Sequence, residues 1–119
     1  MDNQKFNLVL DKILERTNQG RLEWETTANR NTFLAVLQDS AISIAQNFDD
    51  YDGDLPECEI YTFDFRNENG EIVESIDVYD ADEELNSFEK AKKIFELAKQ
   101  QQSSKTDKTL DHILEQLAA

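Results

Sequence analysis

Cysteine, histidine, proline and tryptophan each occur once in this 119-residue chain, and glycine only three times. A lone cysteine, Cys58, excludes an internal disulfide and fits a reducing compartment. One cysteine and one histidine, His112, cannot assemble the usual zinc ligand sets. Gly20, Gly53 and Gly70 each fall where a helix stop or a turn is needed, so no glycine-rich loop is left to cradle phosphate. No apolar run approaches the roughly 20 residues of a membrane span. Met1-Asp2-Asn3-Gln4-Lys5 lacks the basic start and unbroken apolar stretch of a secretion signal. Together these absences lead us to expect a cytoplasmic protein.

Basic residues are also scarce: 12 Lys and Arg stand against 26 Asp and Glu, a formal charge of −14. The deficit is local. Residues 49–84 hold 15 of the acids and a single base, Arg66, whereas the remaining 11 acids are matched by 11 bases. Such a chain repels phosphate backbones, so direct binding of nucleic acid is not expected.

What is present reads as an α+β domain. Phe6, Val9, Leu10, Ile13, Leu14 and Thr17 recur at helical spacing, predicting a helix over residues 3–18 that stops at Gly20. From Arg21 to Thr26 the period becomes two, with Leu22, Trp24 and Thr26 on one side, as in a strand with one wet face. Trp24 is the expected core anchor. Strands are predicted over Thr32 to Gln38 and Ala41 to Asn47, joined at Asp39-Ser40. Thr32 to Leu37 is apolar on both faces, which implies either helices on both sides of the sheet or one apolar face left for a partner.

The loop from Phe48 to Glu57 contains Asp-Gly and the single proline. A long hairpin follows, Cys58 to Phe65 and Glu71 to Tyr79, closed by Asn67-Glu68-Asn69-Gly70, whose Asn and Gly tolerate the positive φ of tight turns. Tyr61, Phe63 and Phe65 share one face of its first strand; Ile72, Ile76 and Val78 are expected to share a face with Glu74 on its second. A second helix is predicted from Ala81 or Asp82 to Gln102, with Leu85, Phe88, Ala91, Ile94, Phe95, Leu97 and Ala98 as its stripe. The polar run Gln100 to Lys105 reads as a break, with a joint at 103–105. Beyond it Leu110, Ile113, Leu114 and Leu117 stand at i, i+3, i+4 and i+7, the pattern of a short third helix.

Placing Asp50, Asp52, Gly53 and Glu59 at positions three, five, six and twelve of an EF-hand loop puts Phe48 where the first carboxylate belongs, and the flanks read as strands, so that motif is rejected. Looser cation binding by Asp49, Asp50, Asp52 and Asp54 stands beside the plainer reading of a solvated acidic loop. Cys58 lies between Glu57 and Glu59, carboxylates that oppose thiolate formation, and reads as packing rather than as a nucleophile. His112 sits among Asp107, Asp111 and Glu115, towards water. No catalytic residue, metal or cofactor is assigned, and a non-enzymatic protein is expected.

The junction Asn18-Gln19-Gly20-Arg21-Leu22-Glu23-Trp24-Glu25 after an amphipathic helix, with the Asn-Gly hairpin and a C-terminal helix behind it, resembles a group of small bacterial proteins. In that group a helix is followed by a Gly-Lys/Arg-Leu-x-Trp-Glu segment, a hairpin and a last helix. The resemblance implies a small bacterial or phage domain and brings no activity or catalytic residue with it.

The sequence therefore predicts a single α+β domain over residues 1–119: an N-terminal helix, an antiparallel meander of about five strands, then one long and one short helix. Its expected role is to bind a basic protein surface through the acidic hairpin region, with Asp49, Asp50, Asp52, Asp54, Glu57, Glu59, Glu68 and Glu71 as contact residues. The alternatives are a phosphate-mimicking inhibitor of a nucleic-acid-binding protein, and a domain whose acidity serves solubility alone. Pairing of two copies through the last helix is the further expectation, with no membrane partner.

Overall fold

A computed structural model describes residues 3–49, 58–80 and 86–118. Helix α1, Asn3–Asn18, turns Phe6, Leu10, Ile13 and Thr17 inward and keeps its charged residues outside. It ends where Gly20 adopts φ +72°, a left-handed turn that brings the Arg21 and Leu22 amides back to donate to the Arg16 carbonyl, at 2.9 and 3.2 Å. Those bonds satisfy a carbonyl that the last turn would otherwise leave open.

The sheet is the expected antiparallel meander, with strands in chain order: β1 (Glu25–Thr26), β2 (Thr32–Val36), β3 (Ala41–Asp49), β4 (Cys58–Arg66) and β5 (Ile72–Tyr79). Strand alternation sends Phe33, Ala35, Ile42, Ile44, Tyr61, Phe63, Ile76 and Val78 to one face, where both helices lie. The Phe6 ring meets Phe63 edge-on at 5.8 Å from α1. From the second helix, Phe95 reaches Phe33 and Tyr61, and Phe88 reaches Tyr61, with ring centres 5.2–5.5 Å apart. The opposite face of the sheet carries no helix among the described residues. Leu34 is half-buried there and Val36 exposed, so the two-faced apolar pattern of β2 does not reflect helices on both sides.

Three sequence expectations are corrected. First, the strand expected over residues 21–26 is reduced to Glu25–Thr26; Leu22 and Trp24 are buried, but the Leu22 carbonyl and the Trp24 amide bond to a helix side chain, not to a strand. Second, Ile72 does not share a face with Ile76. Phe65 pairs with Glu74 but Arg66 with Ile72, so Val73 is an extra residue in β5, and this bulge turns Ile72 to the open face.

Third, there is no joint at 103–105 and no separate third helix: α2 runs unbroken from Ser87 to Ala118, 32 residues. Gln, Ser and Lys are polar without being helix breakers, and no Gly or Pro interrupts this span. Thr106 and Thr109 even return their hydroxyls to the carbonyls of Gln102 and Lys105. The first half of α2 buries Phe88, Ala91, Ile94, Phe95 and Ala98; from Ser103 to Ala118 every residue is exposed. α2 starts at Ser87, after Asn86 at φ +52°, and not at 81–82 as expected, positions that lie outside the described residues.

Candidate functional site

The β4–β5 hairpin closes as its turn residues dictate. Gly70 has φ +79°, and its amide donates to the Asn67 carbonyl at 3.0 Å. The Asn67 side-chain oxygen accepts from the amides of Asn69 and Glu71, at 3.0 and 3.1 Å. Glu68 and Glu71, two of the expected contact residues, stand exposed on this turn.

Along the hairpin the open face alternates carboxylates with hydroxyls. Asp64 pairs with Ser75 and Thr62 with Asp77 across the two strands. Ser75 donates its hydroxyl to Asp64 Oδ1, and Thr62 donates to Asp77 Oδ1 at 2.7 Å while accepting from the Asn47 amide at 3.4 Å. Each carboxylate thus uses one oxygen internally and is held by it. Strand geometry puts Asp64 and Asp77 on a diagonal, their Cα atoms roughly 7–8 Å apart. Neither was among the expected contact residues, although the alternation that reserves Tyr61, Phe63 and Phe65 for the core places Thr62, Asp64 and Arg66 on the other side.

Glu59 belongs elsewhere. It lies in phase with Tyr61, on the helix-bearing face, and its Oε1 accepts from the Tyr61 hydroxyl and from Gln46 Nε2, the latter at 2.8 Å. Burial first, then this bond to a carboxylate, hold the Tyr61 hydroxyl well above the usual phenol range, although the Gln46 hydrogen bond acts in the opposite sense. Glu59 is therefore a half-buried structural acceptor, separated by the sheet from Asp64 and Asp77. Asp50, Asp52, Asp54 and Glu57 lie outside the described residues, as does the side chain of Asp49, and with them the looser cation site and the Cys58 side chain.

Among the described residues no three His, Cys, Asp or Glu side chains converge as metal ligands. His112 is exposed on α2. No described helix is long and apolar enough to cross a membrane. The chain matches no protein-family model, no curated protein and no solved structure.

Proposed function

We propose that this protein is a non-enzymatic interaction module that receives a basic protein surface on the open face and turn of its β4–β5 hairpin. The observation that carries this reading is the pair Asp64 and Asp77, each fixed by a hydroxyl directly across the strand on a face that no described helix covers. A carboxylate already held in place loses little freedom when an Arg or Lys docks on its second oxygen, so more of the charge-assisted bond survives as affinity. Glu68 and Glu71 extend the same field to the turn, where a long-range negative potential speeds encounter. Carboxylates at a fixed diagonal spacing also suit a groove that reads phosphates, which makes inhibition of a nucleic-acid-binding protein the second reading.

The test is capture from a bacterial lysate by immobilised protein, eluted with a salt gradient, beside the Asp64→Asn, Asp77→Asn double variant. A basic partner that elutes early in salt and is lost with the double variant supports the reading; a partner retained equally by both overturns it. Displacement of that partner by duplex DNA favours the phosphate-mimicking role over simple adaptor binding.

A further inference from the structure

The projecting half of α2 and a groove on the far side of α1 complement one another in hydrophobicity and charge. The arm presents Leu110, Ile113, Leu114 and Leu117 at 52, 41, 64 and 78 % exposure, a single stripe with nothing over it among the described residues. At 100° per residue, Asp107 and Asp111 border this stripe on one side, whereas Lys105, Lys108 and Glu115 project from the back. An acid-edged apolar ridge of this kind calls for a base-edged apolar groove.

The chain carries one. Between α1 and the β2–β3 turn lies a depression of about 480 Å³ whose floor includes Leu8, Val9, Leu37 and Ile42. Its rim is Lys5, Lys12, Arg16 and Arg21, four of the 12 bases of a strongly acidic protein. Among the described residues the one acid bonded to this rim is Glu15, which meets Lys12 at 3.3 Å in an exposed pair of little strength. Leu8 is 65 % exposed, an unusual position for leucine on a helix whose other large apolar residues pack inward.

The arm cannot reach the groove of its own chain. Lys90 of α2 bonds Asn7 and Asp11 on one flank of α1, whereas Lys5, Leu8, Lys12 and Arg16 occupy the other. An unbroken helix leaving the domain beyond Gln102 has no hinge with which to turn back around α1. Antiparallel pairing of two arms is disfavoured, because it sets like flanks together, acid beside acid.

We propose that this groove is the seat of residues 106–118 from a second copy of the chain, and that the exchange is reciprocal about a two-fold axis. One arm in one groove is small beside the roughly 1,200–2,000 Å² of a stable interface, and a two-fold supplies the contact twice. The dimer so formed is independent of the acidic hairpin face.

Sedimentation velocity on the full chain and on two exposed-site variants, Leu114→Glu in the arm and Leu8→Glu in the groove, tests the exchange. The parent chain sediments as a dimer, and each variant raises the dissociation constant at least about tenfold. Mixing the two variants gives a heterodimer tighter than either variant alone but weaker than the parent, because the sound arm of one chain meets the sound groove of the other at one of the two contacts only. Charge reversal gives a check that does not depend on either leucine variant folding. Arg16→Glu with Arg21→Glu weakens the dimer, and Asp107→Lys with Asp111→Lys on the partner chain restores it. A monomeric parent chain at high micromolar concentration overturns the proposal. So does a dimer broken by Leu114→Glu but untouched by Leu8→Glu and by reversal of the rim, the signature of arms pairing with each other.

Discussion

The indole N–H of Trp24 donates to the Thr17 hydroxyl at 3.0 Å, tying the only tryptophan to the last turn of α1 inside the core. Trp24 is fully buried and Thr17 nearly so, and each is the natural partner of the other. Thr17→Val keeps the shape and removes the acceptor, leaving a buried donor unsatisfied at a cost of about 1–3 kcal/mol. Thr17→Val combined with Trp24→Phe costs less than the two single changes added together. Urea unfolding of the four proteins measures the coupling; simple additivity would show that the hydrogen bond contributes nothing.

The segment preceding β1 is held by glutamines instead of a strand. Gln101 accepts from the Trp24 amide at 2.8 Å through Oε1 and donates to the Leu22 carbonyl at 3.0 Å through Nε2. Gln102 and Lys105 both donate to the Trp24 carbonyl, the latter at 3.1 Å. A side-chain amide carries the same donor and acceptor as a peptide group, so it can stand in for a neighbouring strand. Gln101→Ala is expected to cost about 1–3 kcal/mol, whereas Gln100→Ala, at an exposed position one residue away, stays within about 0.5 kcal/mol. Truncation after Thr106 should lower the thermal midpoint only by what dimerisation contributes, a difference that vanishes on dilution, whereas truncation after Gln100 should lower it sharply at any concentration. Calorimetry on both truncations decides the matter.

Alkaline pH should destabilise the fold through Tyr61. Its phenol titrates near pH 10 in the unfolded chain and well above that when folded, so between the two the folded state holds a proton that the unfolded state has lost. Stability is therefore unaffected by this group below about pH 10 and falls as the pH rises beyond it. Tyr61→Phe lowers stability by a constant amount near neutrality and flattens the alkaline decline. Urea midpoints of both proteins from pH 7 to 11 give the comparison; parallel curves across the alkaline range would refute the assignment.

Gly70 tests the hairpin turn in isolation. A Cβ built at this position meets nothing within 4 Å, so the cost of Gly70→Ala comes from its φ of +79° alone, roughly 1–2 kcal/mol. Gly70→Asn costs less, because asparagine tolerates the left-handed region. Equal losses for the two variants, read from thermal melts, would mean that the backbone angle is not the source.

What could be read from the sequence followed from periodicity, and what could not followed from its interruption. The α1 stripe, the Asn-Gly turn and the five-strand meander were all legible, because Phe6, Leu10 and Ile13, or Tyr61 and Phe63, keep one period throughout their element. Ile72 was misplaced because a bulge adds one residue to β5, and a strand pattern carries no mark of where its phase slips. The run Gln100 to Lys105 reads as a break because its hydrogen bonds go to residues nearly 80 positions earlier, a relation with no local trace. Of the candidate site, Glu68 and Glu71 were foreseen on the exposed turn. Asp64 and Asp77 do not stand out in the sequence, because total charge carries no information about which face of the sheet each acid occupies.

The continuity of α2 across residues 103–105 sets a ruler. From Gln102 the helix extends about 24 Å at 1.5 Å per residue, with none of the slack of a flexible tether. Two copies linked through such arms would hold their acidic faces at one distance and one relative angle. A ligand with two basic patches would then gain avidity only when its own spacing fits that span; a mismatched one would bind as if each face stood alone.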